Sequence, residues 1–376
     1  MAAWGTRVLI IGGGFSGMSA AIQLRKTGAS VDLVEIDPGW RSYGAGITVG
    51  GAALRAFRTL GILDEFLKRG AASDGVDLLS SAGHPIASLP TPRLAGPDVP
   101  GGGAIMRPVL AAILAEATKA SGTNVRLGAT FERIEQDANG AGVQFSDGSN
   151  GSYDLLVGAD GLNSPTRAAI FPDAPKPRYT GQCVWRAVVP RFPEVNRPMM
   201  WLGHKVKAGV NPVSNDQMYL FVTDDRPSND RIDPARFVAL LKALIAPFSA
   251  PIVKAVHEAL NESSHVVYRP LEAMLLPRPW SKGRVVLIGD AVHATTPHLA
   301  AGAGIGVEDA IVLAEELDRT GSLSHGLQAF EARRFERCRM VVENSERLGE
   351  IEITGGDQAE HARIMRESLI AIAAPI

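Results

Sequence analysis

Three stretches of this chain carry residue types at spacings that suit chemistry. The first is Gly12-x-Gly14-x-x-Gly17, directly behind the apolar run Val8-Leu9-Ile10-Ile11. In such a loop the first glycine permits a tight turn, the second lets a pyrophosphate approach the backbone, and the third lets helix and strand pack closely. The helix that opens behind it offers unpaired N–H groups and about half a positive charge to an anion. Ser16 lies within this loop, and Glu35 ends the next apolar run, where a carboxylate can accept hydrogen bonds from ribose hydroxyls. Together these residues point to a bound dinucleotide.

The second stretch is Arg284-Val285-Val286-Leu287-Ile288-Gly289-Asp290-Ala291. It sets a carboxylate just beyond a buried strand, at the edge where open α/β sheets bind ligands. Asp290 can accept from a ribityl hydroxyl there, or serve as a plain turn or helix-capping residue. The third stretch runs from Pro297 to Asp309 and feeds Gly302-Ala303-Gly304-Ile305 into a helix. Its N-terminus can face a second anionic group, such as the N1–C2 edge of a reduced flavin. Two glycine-fed helix N-termini far apart in one chain suit FAD, a long two-ended ligand, better than NAD.

Other candidates are single residues. Arg186 and Lys207 are strand or strand-edge cations able to hold a carboxylate or polarise a carbonyl, and His204 stands near them in the sequence. Ordinary surface charge is the competing reading, most of all for Lys207. His293, three residues after Asp290, reads as a structural histidine bonded to backbone. The remaining histidines are scattered, and Cys183 and Cys338 are the only cysteines. No metal set or disulfide framework is expected from them.

The elements that must position these residues read as α/β. Val8–Ile11, Val31–Glu35, Asp154–Gly158 and Val285–Ile288 are short apolar runs of the kind buried in a parallel sheet. Helices are expected over Met18–Arg25, Ala52–Leu60, Leu63–Lys68, Arg107–Lys119, Ile305–Arg319, Leu327–Gly349 and Asp357–Ile372. Residues 76–90 read as a hairpin, and 90–103 as a loop rich in proline and glycine. Between 178 and 275 the pattern changes to short strands at 183–189, 199–203, 217–223 and 265–268, with one helix near 234–247.

Composition bounds the rest. The chain has 376 residues, 45% hydrophobic and 21% charged, with a net charge of −2. That is an ordinary globular balance, with no basic surplus for nucleic acid. No apolar run reaches the roughly 18 residues a membrane helix needs, and Met1 to Thr6 lacks a signal-peptide pattern. A cytoplasmic protein is expected. Glycine supplies 40 of 376 residues, above the usual share of about 7%. The glycines cluster at 12–17, 44–51, 101–103 and 302–306, as a ligand touched by backbone at several places requires.

Three motifs in order also carry a resemblance. The first is Gly12-x-Gly14-x-x-Gly17 with Glu35; the second is Asp160-Gly161-x-x-Ser164-x-x-Arg167; the third is Gly289-Asp290-Ala291-x-His293-x-x-x-Pro297. This set resembles the single-component, group A flavoprotein aromatic hydroxylases, similar to p-hydroxybenzoate and salicylate hydroxylases, over about residues 5–350. The resemblance implies a Rossmann-like FAD-binding domain with an inserted antiparallel β-sheet substrate domain and C-terminal helices. The expected division is 1–75, 101–177 and 276–350 for FAD, 76–100 and 178–275 for the substrate sheet, and 351–376 for a C-terminal helix.

By the same resemblance Gly44-Ala45-Gly46-Ile47 is the flavin-proximal loop, Arg107 contacts FAD, and Asp160 with Arg167 lies near FAD and the NAD(P)H path. The alternative for Arg167 is a salt bridge holding its helix. Pro297 and Gly302 to Ile305 fall at the flavin. Two places depart from the family: Ala300-Ala301-Gly302 stands where many relatives have Gly-Gln-Gly, and Gly51 where they often carry Asn. The implied reaction consumes NADH or NADPH and O2, and hydroxylates a small phenolic or heteroaromatic substrate through a C4a-hydroperoxyflavin. His298 and Tyr219 match substrate-facing positions of some relatives, with loop or core packing as the alternative for each. Lowering a phenol pKa from about 10 to about 7 needs roughly 4 kcal/mol, within reach of one cation or hydrogen-bonding side chain. The implied assembly is a monomer or homodimer. A flavoprotein acting on a non-aromatic substrate and a non-catalytic flavin sensor stay open. The Trp-x-Trp-x-Ile-Pro run of flavin halogenases is absent around Trp4, Trp40, Trp185, Trp201 and Trp280.

Overall fold

The computed structural model describes residues 7–376; residues 1–6, which include Trp4 and the start of the expected first segment, lie outside the described residues. The apolar runs assemble into a six-stranded sheet. Its order is Ser281–Lys282, Val285–Leu287, Leu155–Gly158, Arg7–Ile11, Ser30–Glu35, Asn124–Leu127. All neighbours run parallel except the first pair. Every residue of Leu155–Gly158 and Val285–Leu287 is buried, because both sheet faces are covered. Helices Phe15–Lys26, Arg107–Ala120 and Gly302–Thr320 pack together on this layer. A three-stranded antiparallel sheet, Phe131–Gln136, Ala141–Phe145 and Asn150–Tyr153, lies beside it.

A seven-stranded sheet forms a second body. Its order is Val266–Leu275, Arg178–Pro190, Gln217–Asp225, Val206–Pro212, Met199–Leu202, Val76–Ser80, Pro85–Leu89. Only Met199–Leu202 and Val76–Ser80 pair in parallel, which is how the early hairpin joins strands far along the chain. One face carries Trp185, Trp201, Leu220 and Val222 and is covered by helices Phe237–Ile245 and Pro251–Ala259. The opposite face looks toward a small glycine-rich sheet, Gly46–Gly50, Gly102–Met106 and Ala71–Ser73.

Several elements differ from the sequence reading. Strand Arg178–Pro190 is longer than 183–189, and strand Val206–Pro212 and helix Pro251–Ala259 have no counterpart in the expectation. Val206–Pro212 holds Gly209 and ends on Pro212, so its local pattern resembles a loop; pairing on both sides makes it a strand. In the helix, Pro251 occupies the first turn, where its missing N–H costs nothing. The long helix Leu323–Thr354 leads to the C-terminal helix Gln358–Ala373. Among the described residues no helix is long and apolar enough to cross a membrane.

Candidate active site

The glycine loop is built as its residue types demand. Gly12 has φ of +106°, and a Cβ there would lie 2.5 Å from the Ala159 carbonyl oxygen. A Cβ on Gly17 would lie 2.0 Å from the Gly12 carbonyl oxygen. Gly14 is different, because nothing in the protein lies within 4 Å of its added Cβ. Space is therefore left open at the N-terminus of helix Phe15–Lys26, which no side chain caps. The Glu35 carboxylate accepts from the amides of Gly13 at 2.7 Å and Asp37 at 2.8 Å, while Trp40 Nε1 donates to the Gly13 carbonyl at 2.8 Å.

The far glycines meet this loop. A Cβ added to Gly289 or to Gly306 would lie 2.3 Å from Ser16 Oγ. The N-termini of Phe15–Lys26 and Gly302–Thr320 thus converge at the ends of strands Arg7–Ile11 and Val285–Leu287. Behind Gly289 lies a buried ionic network. Asp309 accepts from the Gly289 amide at 2.9 Å, meets His293 Nε2 at 2.6 Å, and accepts from Arg334 Nε at 2.8 Å. Burial alone raises the Asp309 carboxyl, but His293 and Arg334 outweigh it and hold the group down to about 2. Burial likewise opposes protonation of His293, but Cys338 and Asp309 override it and push the imidazole well above 6.5. His293, Asp309 and Cys338 approach within 4.8 Å of one another, and the Arg334 guanidinium donates to both Asp309 and Cys338 there.

Asp290 itself is accessible and accepts no hydrogen bond from the described residues. It nonetheless sits deep among protein atoms, a combination found at the floor of a recess. Burial pushes its carboxyl up, opposed by His293 and Arg107. Arg107 opens helix Arg107–Ala120, stacks over the Phe15 ring at 4.9 Å, and has no carboxylate partner within ion-pair distance among the described residues. Its amide donates to Ala45 at 2.9 Å, and Gly44, at φ +136°, lets the loop pass the arginine stem. A carboxylate and a guanidinium with free hydrogen-bonding capacity, a loop with room at Gly14, and two facing helix N-termini fit the two ends of FAD.

The recess continues onto the inner face of the seven-stranded sheet. A Cβ on Gly46 would lie 2.0 Å from Tyr219 Cδ1, so the ring lies directly on the glycine loop. The Tyr219 hydroxyl bonds Thr48 Oγ1, and Asn211 Nδ2 donates to Thr48 at 2.6 Å and to Tyr219 at 2.9 Å. Arg186 lies on this same face, opposite Phe221 and Val267. Desolvation pushes its guanidinium down, Tyr219 opposes that, and Arg269 reinforces it.

Not every expected residue joins this recess. His298 bonds Thr296 Oγ1 through Nδ1 at 2.8 Å, and its side chain, 1% exposed, turns toward Glu352 at 3.5 Å. Gly349 makes this approach possible, since a Cβ there would lie 2.9 Å from His298 Cε1. Lys207 donates to Glu352 at 2.7 Å, which commits the cation expected for substrate to a carboxylate of the chain itself. Burial would raise Glu352, but Lys207, His298 and His361 together drive it far below the usual range. His204 sits on the exposed turn between Met199–Leu202 and Val206–Pro212, away from the recess residues. Asp160 spends its carboxylate on Ser164, on the Thr166 amide at 2.8 Å and on the Thr166 hydroxyl at 2.7 Å. Arg167 donates to the carbonyls of Ala291 at 2.9 Å and Leu162 at 2.8 Å, which joins the second motif to the third. Pro297 opens a single 3-10 turn that leads to the helix of Gly302, Ala303, Gly304 and Ile305. The first N–H groups of that helix have no intrahelical partner.

Thr48, Asn211, Arg269, Asp309 and Glu352 were not singled out by sequence reasoning. Asp309 had a local signal: with Glu308 it sets two adjacent carboxylates inside the apolar stretch 305–313 of the helix that follows the glycines. Asn211 and Arg269 had none, because strand register alone places them.

The FAD binding domain family model matches residues 5–345. The chain belongs to this family. Family members with curated activities include the aurachin C monooxygenase/isomerase of Stigmatella aurantiaca, 33% identical over 92% of this chain and 90% of that protein. The 2-heptyl-3-hydroxy-4(1H)-quinolone synthase of Pseudomonas aeruginosa is 34% identical over 82% of this chain and 79% of its own length. Among solved structures, Klebsiella pneumoniae HpxO complexed with FAD and uric acid superposes with a TM-score of 0.85 at 25% identity, covering 98% of this chain and 97% of that one. The FAD-binding fold of the family is thus the fold of this chain.

Proposed function

We propose that this chain is an FAD-dependent monooxygenase that consumes NAD(P)H and O2 and hydroxylates a small phenolic or heteroaromatic substrate. The observation that carries the reading is the meeting of the Gly14 loop, Asp290 and Arg107 with the sheet face that bears Arg186 and Tyr219. The relatives support it, being a monooxygenase/isomerase and a quinolone synthase by name. FAD, when bound, supplies the redox chemistry and the activation of dioxygen. Gly12, Gly14, Ser16, Gly17 and Glu35 would hold its adenosine and pyrophosphate, and Asp290 its ribityl chain. Gly44, Ala45, Gly46, Arg107, Pro297 and the helix start at Gly302 would hold the isoalloxazine end.

The protein's own residues then position the substrate and exclude water. Residues 178–275 with 76–100 would form the substrate side, and 1–75, 101–177 and 276–350 the FAD side. Arg186 would face the substrate, with Tyr219 setting the wall between substrate and flavin loop. Cys183 and Cys338 are free thiols, which suits a cytoplasmic setting. The test is a panel of hydroxylated aromatic and heteroaromatic compounds scored for stimulated NADH and NADPH oxidation. Product mass separates oxygen insertion from peroxide release, and a panel without any oxygenated product rejects the reading.

A further inference from the structure

Where the glycine-rich sheet meets the seven-stranded sheet, a cavity of about 230 Å³ lies beside the recess. Its walls are strand Ala71–Ser73, part of strand Gly102–Met106, the segment 191–198, and the turn after strand Val206–Pro212. Ala104, 2% exposed, and the buried Pro212 form its floor, while Asn196 and Asn215 stand exposed at its mouth. The floor backs onto the neighbours of Tyr219. Ala104 stands opposite Thr48 in the small sheet, and Pro212 follows Asn211 in the chain. The hydrogen-bonded group of Thr48, Asn211 and Tyr219 therefore stands between this cavity and the recess.

The cavity has a cationic end. Arg191 donates from Nε to the Val195 carbonyl at 2.9 Å and from Nη1 to the Ser214 carbonyl at 3.0 Å. These two bonds hold the guanidinium in place and leave Nη2 without a partner among the described residues. No carboxylate pairs with Arg191 among the described residues. Asp74 pairs with Arg93 and Asp77 with Arg197, Asp216 accepts from the Ser214 hydroxyl, and Glu194 is exposed. Ser73, Asn196 and Asn215 make no side-chain hydrogen bond among the described residues, so their donors also remain available. Leu67, Ala71 and Ala104 supply apolar wall. An arginine fixed in advance loses little conformational freedom when a ligand arrives, and its planar fork matches a carboxylate.

We propose that this cavity is a second small-molecule site, separate from the FAD recess, for a small carboxylate with an apolar body. Its volume lies below the roughly 300 Å³ at which drug-sized sites begin. A nucleotide is too large for it; a single ring or a short chain suits it. The carboxylate meets Arg191 Nη2 and the neutral donors of Ser73, Asn196 and Asn215. The apolar body lies along Leu67, Ala71 and Ala104. Arg186 takes no part, because it stands on the recess side of the sheet, opposite Phe221. Binding here needs no turnover, so the site stands or falls apart from the monooxygenase reading.

The experiment titrates benzoate into the FAD-loaded protein by calorimetry, with benzyl alcohol as the uncharged analogue and chloride as a competing ion. Benzoate is expected to bind at least about tenfold more tightly than benzyl alcohol. Arg191→Met and the cavity-filling Ser73→Leu should each weaken benzoate at least about tenfold, and Arg191→Lys should keep part of the affinity. Arg186→Met should leave this binding intact, and FAD content should stay unchanged in Ser73→Leu. Absence of benzoate binding, equal binding of benzyl alcohol, or full displacement by chloride at equal concentration overturns the proposal. So does an affinity unchanged in both Arg191→Met and Ser73→Leu, or one lost in Arg186→Met, which puts the benzoate in the recess. Arg191 also ties two turns together, so if Arg191→Met fails to fold, Ser73→Leu and Asn215→Ala decide the outcome.

Discussion

Asp309 accepts a hydrogen bond from the Gly289 amide at 2.9 Å, across a helix start, and with the same oxygen meets His293 at 2.6 Å. One carboxylate thereby clamps both sides of the turn that presents Asp290. The clamp is fully buried and is closed from behind by Arg334, itself ion-paired to Glu308. Asp309→Asn removes the charge while leaving His293 and Arg334 inside. Breaking a buried ion pair in this way costs about 3–5 kcal/mol. The expected result is a lower urea midpoint together with weaker FAD retention. An unchanged midpoint rejects the clamp.

The same carboxylate sets an acid limit. Its folded value of about 2 lies below the ordinary aspartate value of 3.8. The stability it contributes is therefore fully present above about pH 4 and is lost as pH falls toward 2. Acid denaturation followed by circular dichroism should show a steeper loss in that window for the wild type than for Asp309→Asn. Parallel curves reject the assignment.

Asp290→Ala should fold and yet purify largely without flavin. No hydrogen bond within the described protein is lost, and burial already disfavours its charge, so chain stability should change by less than about 0.5 kcal/mol. Flavin absorbance per chain measures the outcome; full stoichiometry defeats the role given to this residue.

Gly46 and Tyr219 form a steric pair. Gly46→Ala drives a methyl group into the ring and should lose flavin or destabilise the chain by about 1–3 kcal/mol. Tyr219→Ala should restore part of that loss in the double variant, a coupling that denaturation can measure. Strict additivity of the two changes removes the pairing.

His298→Ala is expected to act on stability. The ring faces Gly349 and Glu352 under the long helix, and its removal leaves a buried void beside an ionised carboxylate. A loss of about 1–3 kcal/mol with substrate KM unchanged is the expected pattern. A raised KM with intact stability would put His298 back in the substrate site.

The glycine loop and the turn that presents Asp290 were legible in the sequence because their requirements are local. Gly12 needs positive φ, Gly17 needs close approach to its own loop, and Asp290 follows a strand whose burial shows as an unbroken apolar run. Each of these is satisfied within a few residues. Helix limits such as Gly61 and Gly321, both left-handed, are local in the same sense. The glycine-rich sheet of Gly46–Gly50 and Gly102–Met106 was not legible, since small residues carry no alternation of apolar and polar side chains.

The inner face of the seven-stranded sheet was decided by tertiary structure. Whether Arg186 faces a recess or a core depends on pairing with Phe221 and Val267, and a one-residue slip would turn it to the other face. Lys207, which reads first as surface charge, and His298, which reads equally as substrate contact or loop packing, get their partner only because helix Leu323–Thr354 brings Glu352 between them. The amino-acid order by itself determined which backbone segments can cradle a dinucleotide, because turn geometry and strand burial are short-range properties. Which charges find partners is a long-range property, and only the folded chain, by choosing each group's neighbours, gave Lys207 a carboxylate and left Arg186 and Arg269 without an ion pair among the described residues.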